Sequence, residues 1–452
     1  MAGMTAREPA VRYLDTLCEF ATGLSYGQLG ASTVEQAKLV IADTFGAIVA
    51  GAPEPEVAAL AKRVAGNGNS SVIGTGMRAS ASAAAFLNGV AGTWLEMDEG
   101  NRFSRGHPSV HVLPAAFAFA EAHGCPGREL LVAVVLGYEI GARIGIASNL
   151  RSSMHPHGTW GTVGAAAAVA KLAGADAAKM REVINIASSL TLATSKNTML
   201  QGGTVRNTYA GVSNQMGLLA LELAECGFCG ERDGLGSVFG AVVSESFDRG
   251  KMTHGLGEHW QIEMNYFKRH SCCRYNHGTL DALDGLLAHH RLQAQEIERI
   301  DVASYRHAAE LDDQAPRNVL AAKFSVPFAV ATRIVTGSSG LASFTWERVR
   351  DEAIQRLAKR VFVSEDPALT AMLPKFRPAR VTLRLHDGRT LEGAADANRG
   401  DDQDPYSREE LAAKFFELAA RVWDPAKTKA IHAELHRLEE LPDLAALSSL
   451  LV

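Results

Sequence analysis

The chain has 452 residues, of which 47% are hydrophobic and 21% charged, with a formal net charge of -5. That length is too great for one simple core and points to two domains, since domains cluster near roughly 100 to 200 residues. The acidic balance argues against nucleic acid or an anionic membrane as the main partner, so any positive potential has to be local. Met1 to Pro9 lacks the apolar core of a secretion signal, and the apolar run Leu130 to Ala147 is broken by Glu139 and Arg143. A cytoplasmic location is expected. The six scattered cysteines fit a reducing compartment rather than a disulfide framework.

From Tyr13 to about Ala50 the apolar residues recur at helical spacing, and Ser32-Thr33-Val34-Glu35 reads as a capping sequence ahead of Ala37, Val40, Ile41 and Phe45. Gly66 to Gly76 reads as a connection, followed by an alanine-rich helix from Ala81 to Thr93. Leu113–His123 and Gly127–Ala147 read as helices separated by the stop signal Gly124-Cys125-Pro126-Gly127. Gly161–Ala173, Ala177–Thr191 and Ala210–Cys226 continue the helical pattern, and no repeat period recurs. Near Tyr266 the character changes. Asp281–Leu292 reads as helix, but Ile300–Tyr305 and Val361–Ser364 alternate like strands. Arg380–Leu385 and Thr390–Glu392 flank Asp387-Gly388, whose glycine suits the positive φ of a tight hairpin. After the polar stretch Ala395–Ser407 the pattern is helical to Leu450. The expected architecture is mainly α: a large helical domain over residues 1–266, a smaller α+β lid over 267–398, and a helical tail over 399–452 returning to the first domain.

Four clusters carry the residues that chemistry would need. The first is Glu96-Met97-Asp98-Glu99-Gly100-Asn101-Arg102-Phe103-Ser104-Arg105-Gly106-His107-Pro108, where carboxylates can orient His107 and the arginines can attract an anion. A solvated helix end is the plain alternative. The second is Met154-His155-Pro156-His157-Gly158-Thr159-Trp160-Gly161, leading into a helix whose N-terminus favours an anion. A histidine that merely caps a turn is the alternative there. The third, Gln201-Gly202-Gly203-Thr204-Val205-Arg206-Asn207, offers Arg206 as a bidentate carboxylate partner or as a surface arginine. The fourth, Phe267 to His277, sets Lys268, Arg269, Arg274, His270 and His277 at the junction where ligand clefts tend to form, or else is a solvated basic loop.

Other signals fall away on their context. Cys226-Gly227-Phe228-Cys229 has redox spacing but closes a helix rather than opening one. Local metal-ligand patterns, phosphate loops, dinucleotide fingerprints and nucleophile elbows are absent from the sequence.

Taken together, Asn88-Gly89, Leu95-Glu96-Met97-Asp98-Glu99, His107-Pro108, Gly137-Tyr138-Glu139, and His155 to Gly161 with Gly164-Ala165-Ala166 resemble the MmgE/PrpD family. Phe267-Lys268 through His277 and Lys323-Phe324-Ser325-Val326-Pro327-Phe328 are similar to its later motifs, so the likeness covers nearly the whole chain. That family includes 2-methylcitrate dehydratase, cis-aconitate decarboxylase and iminodisuccinate epimerase. The resemblance implies a helical domain with an α+β lid, a cleft between them, a homodimer, and action on small di- and tricarboxylates without metal or organic cofactor. It also implies catalytic roles for Glu96, Asp98, His107, His155 and His277, and a matching lysine at Lys268. Departures are Arg206 where a lysine is usual, Phe328 where tyrosine is common, and Glu96-Met97-Asp98-Glu99 in place of Asp-Phe-Asp-Asp.

The expected chemistry is proton movement at a carbon beside a carboxylate. Arg206, Lys268 and His277 would meet the developing charge, with His107 and His155 as acid and base. Arg102, His157 and Arg274 complete the expected substrate contacts. Dehydration is the first expectation, with decarboxylation or epimerisation as alternatives. A non-catalytic carboxylate-binding protein and a lyase using metal held by scattered histidines stand further off.

Overall fold

The computed structural model describes residues 11–452, so the Met1–Pro9 segment lies outside the described residues. The helical run expected from Tyr13 to Ala50 is two helices, α1 (Arg12–Gly23) and α2 (Ala31–Gly51). Ser32 does not cap α2. Gly30 holds that position, and the hydroxyls of Ser32 and Thr33 donate to Glu263 at 3.0 and 2.7 Å. After α3 (Pro55–Val64) the expected connection folds into a small hairpin, β1 (Ser70–Val72) with β2 (Met77–Ala79).

The site is framed by α4 (Ala81–Trp94), the two-residue β3 (Gly100–Asn101), α5 (Pro108–His123), α6 (Gly127–Ala147), β4 (Ser148–Leu150) and α7 (Gly161–Leu172). α5 begins five residues before the expected start, because Pro108 occupies the first helical turn, where a missing N–H costs nothing. Small residues let these helices approach closely. A Cβ on Gly137 would sit 2.6 Å from the Gly164 carbonyl, and one on Gly89 would sit 2.7 Å from Gly211. α6 is the one helix among the described residues long and apolar enough to cross a membrane, and 94% of its apolar window is buried inside the protein. α8 (Ala177–Ser189), α9 (Lys196–Leu200) and α10 (Tyr209–Glu225) complete this part.

β5 (Ser244–Phe247) pairs with β4, and β6 (Asn265–Tyr266) pairs with β3. The next helix spans Arg274–Leu287 rather than starting at Asp281, so the end of the basic cluster, Arg274 to His277, is its first turn. Beyond it, β7 (Ile297–Ser304), β8 (Val361–Glu365), β9 (Ala379–Leu385) and β10 (Thr390–Ala395) form one sheet in the order β10-β9-β7-β8. β7 and β8 are parallel and the other pairs antiparallel. Asp387-Gly388 makes the turn between β9 and β10, with Gly388 at φ +89°. Alternation puts Val381, Leu383 and Leu385 of β9 into a core shared with Leu280, Leu283 and Val330.

A second, larger core joins the helices before residue 266 with the C-terminal helices, through Phe415, Trp423, Ile431 and Leu447. The helix Arg408–Ala419 lies on α2 and carries Lys414, whose ammonium reaches Asp43 at 2.5 Å and the Met97 carbonyl at 2.7 Å. The functional clusters lie where the two cores face each other.

Candidate active site

The short pairing of β3 with β6 sets Gly100 opposite Tyr266 and Asn101 opposite Asn265. This ladder brings the acidic loop after α4 onto the basic segment that precedes the Arg274 helix. Within the loop, Asn101 Oδ1 accepts from the Phe103 and Ser104 amides at 3.0 and 2.9 Å, curling the chain back on itself. Glu96 and Arg105 are the two non-glycine residues with positive φ among the described residues, at +56° and +60°. Both line one cavity of about 130 Å³. Backbone held in this sparsely populated region clusters at functional sites.

Glu96 is fully buried. One of its oxygens meets Arg206, and the other lies 3.1 Å from Lys268. Burial alone would raise its pKa, but those two cations hold it below the ordinary carboxylate range. Asp98 is buried behind it, 3.5 Å from Lys268 and 2.9 Å from His107 Nδ1, the latter contact lying outside hydrogen-bond geometry. Despite burial, His107 and Lys268 hold Asp98 ionised. Lys268 is wholly buried. Desolvation would lower its pKa, yet Glu96 and Asp98 raise it. His107 immediately precedes α5, lines the cavity, and has Asp98 on its Nδ1 side.

Around His107 the histidine rings stack edge to face. His157 lies 4.7 Å from both His107 and His155, and 4.8 Å from His111. His155 Nδ1 accepts the His157 amide at 3.1 Å. Burial, followed by the charge of Arg206, pushes the pKa of His155 well below the usual histidine value. A neutral ring that accepts at Nδ1 carries its proton on Nε2, so His155 is a donor. His157 is also held neutral by burial, and its Nδ1 has no hydrogen-bond partner among the described residues. His111, which sequence reasoning passed over, is pushed down to about 4 by burial. It bonds the His107 carbonyl at 2.8 Å and accepts the Gly158 amide at 3.3 Å, joining the first two clusters.

The cavity brings together Glu96, His107, His155, His157, Arg206 and Arg274. Asp98 and Lys268 stand behind its wall. Two expected site residues are corrected. Arg102 turns away to pair with Asp402, stacking 4.5 Å from the Phe103 ring. His277 is fully buried in the first turn of its helix, where its Nδ1 accepts from Arg274 at 3.0 Å and its Nε2 faces the Cys272 carbonyl at 3.4 Å. It therefore supports Arg274 and does not reach the cavity. Arg274 is itself held by Asp401 at 2.8 Å.

Glu99 also leaves the group. It sits under α5, accepting the Ser109 amide and the Tyr138 hydroxyl, each at 2.9 Å. Arg377, Tyr266 and Tyr275 enter the wall, with Arg377 coming from the segment just before β9. A lone arginine in Phe376-Arg377-Pro378 gives no local signal; only the fold brings it here. Among the described residues no three His, Cys, Asp or Glu side chains gather as a metal-binding group.

Comparison with known proteins decides the family. The MmgE/PrpD N-terminal domain matches residues 15–246, and the MmgE/PrpD C-terminal domain matches residues 270–440. The chain belongs to the MmgE/PrpD family. It is a lyase-type enzyme of that family. Relatives include a cis-aconitate decarboxylase of Aspergillus terreus, 25% identical over 96% of this chain and 95% of its own length. The cis-aconitate decarboxylases of Mus musculus and Homo sapiens are each 27% identical, over 95% and 96% of this chain and 91% and 93% of theirs.

Proposed function

We propose that the protein is a cofactor-independent decarboxylase acting on a small unsaturated tricarboxylate of the cis-aconitate type. Residues 267–398 would form the lid over a helical body. The observation that carries this reading is His107, backed by ionised Asp98 and opening onto a small cavity with several cations in its wall. The names carried by full-length relatives support it.

In such a substrate one carboxylate sits on a methylene next to the double bond. When carbon dioxide leaves, the electron pair of the broken C–C bond forms a new double bond between the methylene and the central carbon. The former vinylic carbon must then gain a proton. His107 in its protonated form, stabilised by Asp98, donates that proton. His155 contributes a fixed Nε2–H to a carboxylate oxygen. Arg206 faces the charge that builds on the carboxylate beside the protonated carbon.

Dehydration of a 2-methylcitrate-type substrate is the second reading. It is favoured by His107 and His155 lining one cavity, one for the carbon-bound proton and one for the leaving hydroxyl. Proton NMR in deuterated water separates the two, using cis-aconitate, 2-methylcitrate, citrate and iminodisuccinate. The expected result is release of carbon dioxide from cis-aconitate with one deuterium retained in the product. Elimination of water from 2-methylcitrate without decarboxylation would establish the dehydratase instead. Binding without turnover of any of the four acids would remove both.

A further inference from the structure

The charges in the cavity wall do not cancel. Arg206 is matched by Glu96, Arg274 by Asp401 and Lys196 by Glu310. Arg105, Arg151 and Arg377 remain, and of these Arg151 is exposed and donates to the Val242 and Ala241 carbonyls at 3.0 and 3.2 Å. Arg377 is 4% exposed, and it gives one hydrogen bond to the Arg102 carbonyl at 3.1 Å. Its guanidinium lies 5.6 Å from the centre of the Tyr266 ring and 5.4 Å from that of Tyr275. Arg105 donates to the Ser148 carbonyl at 2.5 Å. Neither has a carboxylate at ion-pair distance among the described residues.

The two arginines also feel each other. Burial lowers the pKa of Arg105, with Arg377 adding to that behind an opposing effect of Tyr275, whereas Arg377 is itself raised, against its burial, by the surrounding tyrosines and by Asp401. Two like charges that share a cavity wall without a counter-ion destabilise the empty protein, and one bound anion relieves both. Arg105 is held at φ +60° on the turn next to His107, so its placement is maintained against backbone preference.

We propose that Arg105 and Arg377 form a carboxylate subsite that grips a non-reacting carboxylate of the substrate while His107 addresses the carbon. The proposal rests on the polycarboxylate reading above. It makes these two arginines the determinants of substrate charge, a role separate from that of the histidine cluster. Monocarboxylates would leave the pair uncompensated and would bind weakly.

The test uses the full-length protein, with tricarballylate, a saturated tricarboxylate, as the calorimetric probe and cis-aconitate as the kinetic one. Arg105→Gln and Arg377→Gln each weaken tricarballylate binding by about ten- to a hundredfold, the range for a hydrogen bond to a charged group. Any KM for cis-aconitate rises in parallel, while kcat stays within about threefold. Arg105→Lys recovers part of the loss. Arg105→Gln keeps the strained backbone and removes one of two repelling charges, so the melting temperature of the unliganded protein holds or rises, which loss of a purely structural contact would not produce. Should Arg377→Gln fail to fold, Arg105→Gln decides alone. Wild-type affinity in both Gln variants overturns the subsite and leaves the decarboxylase reading standing. Arginine-dependent tricarballylate binding with no turnover of any acid removes the decarboxylase reading and keeps the subsite. A wild-type protein that ignores tricarballylate overturns the subsite.

Discussion

Replacing Asp98 by Asn tests the acid–base assignment most directly. The exchange preserves size but alters two properties at once. Asp98 is 1% exposed and lies 2.9 Å from His107 Nδ1, so the bare attraction between its carboxylate and an imidazolium, before the opposing cost of burial, is roughly 6 kcal/mol at an effective dielectric near 20. An Asn amide can also donate to Nδ1, which would leave the ring neutral with its proton on Nε2, a far weaker acid toward the substrate carbon than the imidazolium. Losing most of that attraction corresponds to a fall in kcat of about 10³ to 10⁴, at the upper end of what one acid–base group contributes. KM should change by less than about threefold, because Asp98 stands behind the cavity wall and does not line it. The assay is single-turnover and steady-state kinetics on whichever acid of the NMR panel responds, together with a melting curve. That curve should show some loss, since Lys268 would then share only Glu96. A kcat within tenfold of wild type, in a folded variant, would refute the role given to the His107–Asp98 pair.

Burial pushes Glu99 up to about 8. Relative to Glu99→Gln, its contribution is therefore fully present below pH 4.5 and lost as pH rises to 8, by up to about 5 kcal/mol. Melting temperatures of the two proteins across pH 5 to 9 should diverge in favour of the variant and then run parallel. Lys323→Met removes the ammonium that the Leu95 carbonyl and both oxygens of Ser271 now accept at 3.0, 2.9 and 2.6 Å, stranding the Ser271 carbonyl while the Ser271 hydroxyl still donates to the Leu95 carbonyl at 2.7 Å. Urea unfolding should register a loss of about 2 to 4 kcal/mol, with reduced kcat because Leu95 adjoins Glu96. Gly161→Ala sets a methyl 2.5 Å from the His111 ring, so calorimetry should record roughly 1 to 3 kcal/mol of destabilisation from overpacking, and activity should fall as the histidine stack shifts.

How far the chain could be read from its residues depended on whether the signal was local. The hairpin at Asp387-Gly388 was legible because two residues dictate its turn, and the alanine-rich helix before the acidic loop was legible from its periodicity. The starts of α5 and of the Arg274 helix were missed, because a proline and a basic run resemble loop when their helical register is unknown. The same limit governs the site. His107, His155 and Arg206 each occur in a recognisable cluster, and the structure brings all three to one cavity. Arg102 and His277 occur in the same clusters, yet one turns toward Asp402 and the other lies under Arg274. Side-chain direction at a strained turn, or around a helix whose start is misplaced, is not encoded in composition. Arg377 lies 100 residues beyond the nearest expected cluster, which ends at His277, so no local reading could have reached it.

Four distant segments have to be in place before this cavity exists, and charge is what joins them. The β3–β6 ladder is only two residues long and cannot hold them alone. Glu96 is shared by Arg206 and Lys268, while Lys323 ties Leu95 to Ser271. Buried pairs of this kind lose about 3 to 5 kcal/mol when one partner is removed, because the other is left uncompensated. Inactivity of an Arg206 or Lys268 variant therefore mixes lost chemistry with lost assembly. Arg105 and Arg377 differ in kind: among the described residues neither has a carboxylate at ion-pair distance, so neutralising one of them relieves repulsion in the unliganded state. Opposite signs of the stability change on the two sets of cations would separate the groups that build the cavity from those that wait for its ligand.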